Sequence, residues 1–326
     1  MREIAFQRTN SVEEAVRGGA QPETAFLAGG TSLVDLMKLE VLNPARVLDV
    51  SRLDLSRIEP TADGIRLGAT ATNTVVATHA EVKRRWPALS EALLSGASPQ
   101  LRNMATVAGN LLQRTRCAYY RDLATRCNKR NPGAGCDALD GWTRMHAILG
   151  GSERCIALHP SDMCVALAAL DAVVHVRGPR GERDIPFGDF HLLPGEHPER
   201  EFALDPGELV TWVFVPGSAA AARSRYVKVR DRLSYAFALA SCAAGLEVAD
   251  GKIKAARIAL GGVGTKPWRA PQAEQALIGE PPQAASFRKA ADLALRGAQP
   301  RADNSFKVEL TKRVVIRALS LCAEAA

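Results

Sequence analysis

The sequence lacks several features that would assign it to a class at once. Among its 326 residues there is no run of 18 apolar ones, so no segment is predicted to span a membrane. The first residues contain no apolar core, so we expect no secretory signal of the chain's own. Aromatic residues are scarce at 5%, which weakens any hypothesis of a surface that stacks nucleic-acid bases.

The composition predicts a packed protein of two domains. Hydrophobic residues make up 47% of the chain and charged residues 24%, which is typical of globular and not of disordered proteins. A chain of 326 residues is longer than a domain with a single hydrophobic core usually is. A shift to small residues in "GSAAAARS", residues 217–224, predicts a linker. The net charge of +7 fits an anionic cofactor or an acidic partner as well as nucleic acid.

Seven cysteines are an odd number, in a chain too long to need disulfide staples. Four of them lie within 39 residues, separated by nine, eight and eighteen others: Cys117, Cys127, Cys136 and Cys155. With no CxxC pair, this spacing excludes a zinc ribbon and the bacterial ferredoxin run. An iron–sulfur cluster, a Cys₄ zinc site and scattered thiols stay open, and four thiols in one segment favour a metal.

The remaining three cysteines lie in apolar segments and are predicted to be buried hydrophobic residues: Cys164, Cys242 and Cys322.

Basic residues are interleaved with the first three of these four cysteines. They could offset the negative charge of a thiolate-ligated cluster, or form a solvated face or a nucleic-acid patch. The residues are Arg114, Arg116, Arg121, Arg126, Lys129 and Arg130.

Two turns rich in small residues could hold a phosphate-bearing cofactor. "AGGTS", Ala28–Ser32, lies between a predicted strand and a predicted helix, where free N–H groups and the helix dipole suit a pyrophosphate. "TVAGN", Thr106–Asn110, offers a hydroxyl, a bare glycine backbone and an amide to phosphate or ribityl groups. Neither has the G-x-G-x-x-G or P-loop spacing, so ordinary tight turns are the alternative.

A third segment, "HPSD" at His159–Asp162, precedes a predicted helix. The simplest interpretation makes Ser161 or Asp162 the N-cap. The functional interpretation has the Asp162 carboxylate accepting hydrogen bonds from sugar-like hydroxyls, and the sequence leaves both open.

Five segments taken in order resemble one family. They are "FLAGGTSLVDLMK", "GASPQLRNMATVAGNLLQ", "HPSDM", "YVKVRDRLSYAFA" and "IALGGVGTKPWRA". Over essentially the whole chain they resemble the FAD-binding (medium) subunit of the xanthine dehydrogenase/molybdenum hydroxylase family. The cysteine-rich residues 115–158 are an insertion relative to that family. An inserted [4Fe–4S] segment marks two branches, the periplasmic aldehyde oxidoreductases and the 4-hydroxybenzoyl-CoA reductases, and "CNKRNPGAGC" is more similar to the first.

The resemblance implies an α+β fold. Residues 1–216 would form a two-part PCMH-type FAD-binding domain that contains the inserted [4Fe–4S] segment, residues 115–158. Residues 222–326 would form a C-terminal domain like that of the CO dehydrogenase flavoprotein, a small antiparallel sheet with helices.

The resemblance also implies the site residues. Those that would hold the FAD pyrophosphate are Leu27, Ala28, Gly29, Gly30, Thr31, Ser32, Leu33 and Val34. The second FAD loop would use Thr106, Gly109 and Asn110, although Ala108 stands where the family often has glycine. Asp162 would bind the flavin's polyol chain, and Lys228 would lie near the isoalloxazine ring and stabilise the reduced flavin. The cluster ligands would be Cys117, Cys127, Cys136 and Cys155.

The function implied is electron transfer within a heterotrimer. Aldehyde oxidation would occur on a large partner subunit with a molybdenum cofactor, and a small partner with [2Fe–2S] clusters would pass the electrons to this FAD and an external acceptor. We expect a periplasmic location through co-export with a partner that carries a twin-arginine signal, with the cytoplasm as the alternative. The rival functions are an acyl-CoA reductase subunit and, more distantly, a zinc-stabilised nucleic-acid-binding protein.

Overall fold

The computed structural model describes residues 3–324. Within them, twelve strands form three sheets, and helices pack between and around the sheets. No helix of this part of the chain has the length and apolar character needed to cross a membrane.

A small parallel sheet begins the chain. Its strand order is β1-β3-β2, and the connections pass through two short helices. Ser11 caps the first helix by accepting the Glu14 N–H at 3.1 Å. The elements are β1 (Ala5–Arg8), α1 (Val12–Gly19), β2 (Thr24–Leu27), α2 (Leu33–Lys38) and β3 (Arg46–Asp49).

The second sheet is antiparallel, with the order β4-β5-β8-β6-β7. Its strands are β4 (Ile58–Pro60), β5 (Gly64–Gly68), β6 (Val173–Gly178), β7 (Gly181–Pro186) and β8 (Leu209–Pro216). The helices associated with it are α3 (Asn73–Thr78), α4 (Ala80–Arg85), α5 (Pro87–Ser95), α6 (Pro99–Arg102), α7 (Val107–Leu111), α9 (Asp162–Ala169) and α10 (Phe187–Phe190). Every residue of α9 is buried, so this apolar helix forms the centre of the largest core.

The third sheet is antiparallel with the order β12-β11-β10-β9. Asp250 and Gly251, both with positive φ, form the tight turn between its two long strands. Its strands are β9 (Ser224–Val229), β10 (Ala240–Ala249), β11 (Lys252–Gly261) and β12 (Trp268–Arg269). The helices that follow are α12 (Pro271–Gln275), α13 (Ala284–Ala294), a 3₁₀ turn (Ala302–Asn304) and α14 (Phe306–Glu324).

The segment predicted to be a linker, residues 217–224, is an ordered connection between the second and third sheets. Residues Ala219–Ala222 form the short helix α11, which Ser218 caps by accepting the Ala221 N–H at 3.0 Å. Ala220 and Ala221 are buried. The small side chains therefore allow close packing here, and they do not mark a mobile segment.

Residues 115–158, the segment predicted to be an insertion and called the insertion below, contain one short helix, α8 (Ala118–Arg121), and are otherwise irregular. Backbone hydrogen bonds attach its end to the third sheet, where the N–H of Ile148 donates to the carbonyl of Val263 at 2.9 Å. The fully buried Asn304 amide donates to the Thr143 carbonyl at 3.1 Å. The insertion is thus packed onto the C-terminal part of the protein and does not project as a free loop.

Candidate flavin and iron–sulfur sites

The first small-residue turn presents a row of unused backbone donors. Strand β2 ends at Leu27, and the first helical bond of α2 is that of the Val34 N–H to the Gly30 carbonyl at 3.1 Å. Within the described chain, the N–H groups of residues 29–33 donate to no protein group. Gly30 has a φ of +72°, a conformation that glycine adopts without strain. Consecutive free N–H groups of this kind bind the oxygens of a phosphate.

The second turn lies directly against the first. A Cβ atom added to Gly29 would sit 1.8 Å from the carbonyl oxygen of Met104, so only glycine permits this approach of the two backbones. Met104 leads within two residues into the turn at Thr106–Asn110. The two turns are far apart in sequence and therefore form one surface only in the folded chain.

The polar side chains of the second turn are partly used within the protein. The Thr106 hydroxyl is buried and accepts the Gly109 N–H at 3.2 Å as the N-cap of α7. The Asn110 Oδ1 atom accepts the Ser161 hydroxyl at 2.6 Å and the Gln113 amide at 2.7 Å. The Asn110 Nδ2 group has no protein acceptor among the described residues, so it is available to a ligand.

Asp162 and Lys228 form a buried ion pair. The Lys228 Nζ atom lies 2.7 Å from Asp162 Oδ2, and the two side chains are only 4% and 9% exposed. The Tyr226 hydroxyl donates to Asp162 Oδ1 at 2.5 Å, and Lys228 also donates to the Ser95 carbonyl at 3.0 Å. Burial and the adjacent carboxylate raise the pKa of Tyr226 well above its ordinary value, so its hydroxyl stays a donor.

This pair changes what Lys228 offers to a flavin. The sequence places Asp162 and Lys228 in separate roles, yet the structure brings them into one contact, and Ser161 of the same segment bonds Asn110. A cation 2.7 Å from a carboxylate presents a dipole and not a free positive charge. Tyr226, which the sequence analysis missed, lies two residues before Lys228 on β9 and therefore faces the same side of the strand.

The four insertion cysteines share one neighbourhood. Cys127 and Cys136 face each other in an antiparallel bridge. Cys155 and Cys127 are both near enough to raise the pKa of Cys117 and that of Cys136. Burial raises the pKa of Cys117 to about 12 and raises the pKa of the Cys136 and Cys155 thiols. Thiols in such surroundings ionise when a metal takes the place of the proton.

Backbone N–H groups point at the cysteine sulfurs. The Ala157 N–H lies 3.5 Å from the Cys155 sulfur, and the backbone of Tyr119 and Tyr120 acts to lower the pKa of Cys117. Such donors stabilise the negative charge of metal-bound thiolates. The residues of the insertion therefore fit a thiolate-ligated centre.

The four sulfurs are not gathered into the geometry of a bound zinc ion. Zn–S bonds of about 2.3 Å in a tetrahedron place the sulfurs about 3.8 Å apart. Among the described residues, no three of these four sulfurs all lie within 4.8 Å of one another.

Most of the basic residues of the insertion have carboxylate partners. Arg116 and Arg121 pair with Asp35 at 3.1 and 2.5 Å. Lys129 pairs with Glu201 at 3.0 Å, and its side chain is 9% exposed. Arg126 pairs with Asp137 and Arg114 with Glu201, whereas Arg130 donates to backbone carbonyls of residues 119, 120 and 125. Paired cations make a poor nucleic-acid surface, which weakens that rival function.

A group of donors missed by the sequence analysis lies near Cys155. The nitrogens of His159 and His191 and the Cys164 sulfur all lie within 4.8 Å of one another. The imidazole rings of His159 and His191 meet edge to face with their centroids 4.3 Å apart. The Nε2 atom of His191 lies 3.0 Å from the Leu111 carbonyl oxygen. Burial lowers the pKa of both histidines, so both rings are neutral parts of the wall between the insertion and α7.

The other three cysteines are buried and free, as predicted. Each is fully buried, Cys164 in α9, Cys242 in β10 and Cys322 in α14. They lie in the two large cores and behave as small apolar residues.

Comparisons with known proteins agree with this geometry. Residues 2–218 match the family described as "FAD binding domain in molybdopterin dehydrogenase". Residues 225–321 match the "CO dehydrogenase flavoprotein C-terminal domain".

Several relatives match the chain over most of its length. It is 48% identical over 323 residues, 98% of each chain, to the aldehyde oxidoreductase FAD-binding subunit PaoB of Escherichia coli (strain K12). It is 28% identical to the glyceraldehyde dehydrogenase medium chain of Sulfolobus acidocaldarius, covering 85% of this chain and 82% of the relative. The solved structure of a carbon monoxide dehydrogenase from Hydrogenophaga pseudoflava has a TM-score of 0.78 at 25% identity, covering 99% and 98% of the two chains.

The chain therefore belongs to the FAD-binding (medium) subunits of the xanthine dehydrogenase/molybdenum hydroxylase family. The expected α+β fold class and FAD as a cofactor are confirmed. The residues assigned to the flavin and the cluster stay predictions, which the geometry above allows to be tested.

The close approach at Gly29 gives the first prediction. The variant Gly29→Ala should lose most of its FAD, because its Cβ would collide with the Met104 carbonyl and push the two turns apart. The flavin absorbance of the purified protein measures this. Gly188→Ala is the control, since an added Cβ there meets nothing within 4 Å. Full FAD content in a folded Gly29→Ala protein would contradict the role of this contact.

The buried ion pair gives the second prediction. Asp162→Asn or Lys228→Met alone should lower the free energy of unfolding by about 3–5 kcal/mol, because each leaves a charge buried without its partner. The double variant should lose less than the sum. Urea unfolding of the flavin-free protein measures this. Asp54→Asn, in an exposed pair with Arg57, should cost about 0–1 kcal/mol, and an equally small cost at Asp162 would refute the pairing.

Proposed function

We propose that the chain is the FAD/[4Fe–4S] subunit of a heterotrimeric, molybdenum-dependent aldehyde oxidoreductase. The observation that supports this most is the shared neighbourhood of four cysteines in an insertion of a family flavin subunit. The 48% identity with an aldehyde oxidoreductase subunit over nearly the whole chain favours that branch over the acyl-CoA reductases.

The chain's own residues would bind and orient the two centres. The free N–H groups of residues 29–33 would hold the pyrophosphate, with Asn110 Nδ2 as a further donor. Asp162 would bind the polyol chain of the flavin, while Lys228 and Tyr226 hold the Asp162 carboxylate in place. The Asp162–Lys228 ion pair would face the reduced flavin ring as a dipole. FAD, when bound, supplies an acceptor that takes electrons from one-electron centres and passes them on. Cys117, Cys127, Cys136 and Cys155 would ligate the cluster.

The substrate chemistry would take place on a partner. An aldehyde and water yield a carboxylic acid, two electrons and two protons, and we propose aromatic aldehydes as the substrates. A large subunit with the molybdenum cofactor and a small subunit with [2Fe–2S] clusters would deliver the electrons to this chain. An external acceptor would remove them, and neither nucleic acid nor a membrane would take part.

The third prediction tests the cluster and the reaction together. Cys136→Ala in the complex should lose the iron of the insertion, because removal of a thiolate leaves an iron atom short of a ligand. Cys242→Ala is the matched control, since this cysteine is buried in the third sheet. Iron analysis and the electron paramagnetic resonance (EPR) spectrum measure the loss. Unchanged iron in Cys136→Ala would refute the ligand set.

The unaltered complex tests whether the protein belongs to the aldehyde oxidoreductase or the acyl-CoA reductase branch. We expect aromatic aldehydes to reduce the flavin under anaerobic conditions. Reduction of an aromatic acyl-CoA by the dithionite-reduced complex, without aldehyde oxidation, would instead favour the acyl-CoA reductase.

The fourth prediction concerns location. We propose the periplasm, reached by co-export of the folded complex, because FAD and iron–sulfur centres are inserted before the protein meets an oxidising compartment. With its partners the chain should appear in the periplasmic fraction, and replacement of the partner's twin arginines should retain it in the cytoplasm. Cytoplasmic retention beside an intact signal-bearing partner would favour the alternative.

A further inference from the structure

A histidine of the insertion lies against one of the four cysteines. The Nε2 atom of His146 is 3.2 Å from the Cys117 sulfur, a hydrogen-bond distance for a sulfur acceptor. His146 is only 4% exposed, and its Nδ1 atom is buried with no partner among the described residues. Among the described residues, the hydrogen bond of this ring is with the Cys117 sulfur.

The contact selects one tautomer of the imidazole. If the proton is on Nε2, the ring donates to the sulfur and leaves only an acceptor atom, Nδ1, without a partner. If the proton is on Nδ1, this N–H has only the backbone of Thr143 near it, without hydrogen-bond geometry, and a lone pair on Nε2 faces a lone pair on the sulfur. An unmade donor is the more costly loss, and a thiolate accepts more strongly than a thiol. The Nε2–H form is thus the tautomer that makes the 3.2 Å contact with the Cys117 sulfur a hydrogen bond.

The C-terminal part of the chain holds this histidine in place. The carbonyl of His146 accepts the Lys307 ammonium at 3.1 Å and the Asn304 amide at 3.4 Å. Both of these side chains are fully buried, and Lys307 also donates to the Gly262 carbonyl at 2.7 Å. The His146 N–H donates to the Thr143 carbonyl at 2.8 Å. The position of the ring is therefore fixed by the 3₁₀ turn, by α14 and by the end of β11.

We propose that His146 is a positioning residue of the iron–sulfur centre, which donates a hydrogen bond from Nε2 to the Cys117 thiolate and raises the reduction potential of the cluster. This inference rests on the proposed function, because Cys117 has to be a cluster ligand. An electron added to the cluster increases the negative charge on its sulfur ligands. A hydrogen bond to one of those ligands stabilises the reduced form more than the oxidised form, which raises the potential.

The test is a redox titration of the complex followed by EPR. His146→Ala should keep its iron and shift the midpoint potential of the [4Fe–4S] signal to a more negative value. His146→Gln, whose Nε2 amide can reach the same place, should recover part of the shift. His175→Ala is the control, because this histidine stacks on Trp212 in the second sheet, away from the insertion. A full iron content with an unchanged potential in His146→Ala would overturn the inference.

If the His146→Ala variant loses its cluster, a second measurement on the unaltered complex still tests the inference. Pulsed EPR of the reduced cluster, with ¹⁵N-histidine incorporated, should show a weak nitrogen coupling and a nearby exchangeable proton. A strong nitrogen coupling would show that His146 is an iron ligand, and the absence of coupling would show that His146 does not contact the cluster. Either result overturns the inference. A complex with no [4Fe–4S] signal at all would instead overturn the proposed function.

Discussion

The buried ion pair between Asp162 and Lys228 is the interaction on which the arrangement of the protein depends most. Asp162 begins the central helix α9, and Lys228 lies on the first strand of the C-terminal sheet. Their contact therefore joins the two large cores at the predicted flavin site. Because a buried charge without a partner is strongly unfavourable, the pair forms only when both parts of the chain are in register. The Ser161–Asn110 hydrogen bond then connects the same corner to the second small-residue turn.

The shape of the insertion depends on the C-terminal helices. Asn304 and Lys307 are fully buried polar residues whose partners are carbonyl groups of residues 143, 146 and 262. The irregular insertion has few backbone ladders of its own, so these donors replace them. The predicted cluster ligands thus lie in a segment whose shape is set by the third sheet and its helices.

Local patterns predicted the parts of the site but not their contacts. The turn at Ala28–Ser32 and the cap at Ser161 follow from residue types that prefer such positions, and the structure has both. The four cysteines could be grouped by their spacing alone. The composition of residues 217–224 predicted a linker but not its helix, because alanine suits a packed helix as well as a loose connection, and the close approach of Ala220 to Gly245 is a tertiary contact. The Asp162–Lys228 pair and the His146–Cys117 contact join residues 66 and 29 positions apart, and no local rule predicts such partners.

The central claim is that the insertion of this flavin subunit holds a [4Fe–4S] cluster. The most direct measurement is the Mössbauer spectrum of the complex assembled with ⁵⁷Fe, together with its FAD content. The account predicts a [4Fe–4S] component in a ratio of one cluster to one FAD, beside the [2Fe–2S] signals of the partner. A spectrum with [2Fe–2S] components alone, from a complex with full FAD content, would contradict it.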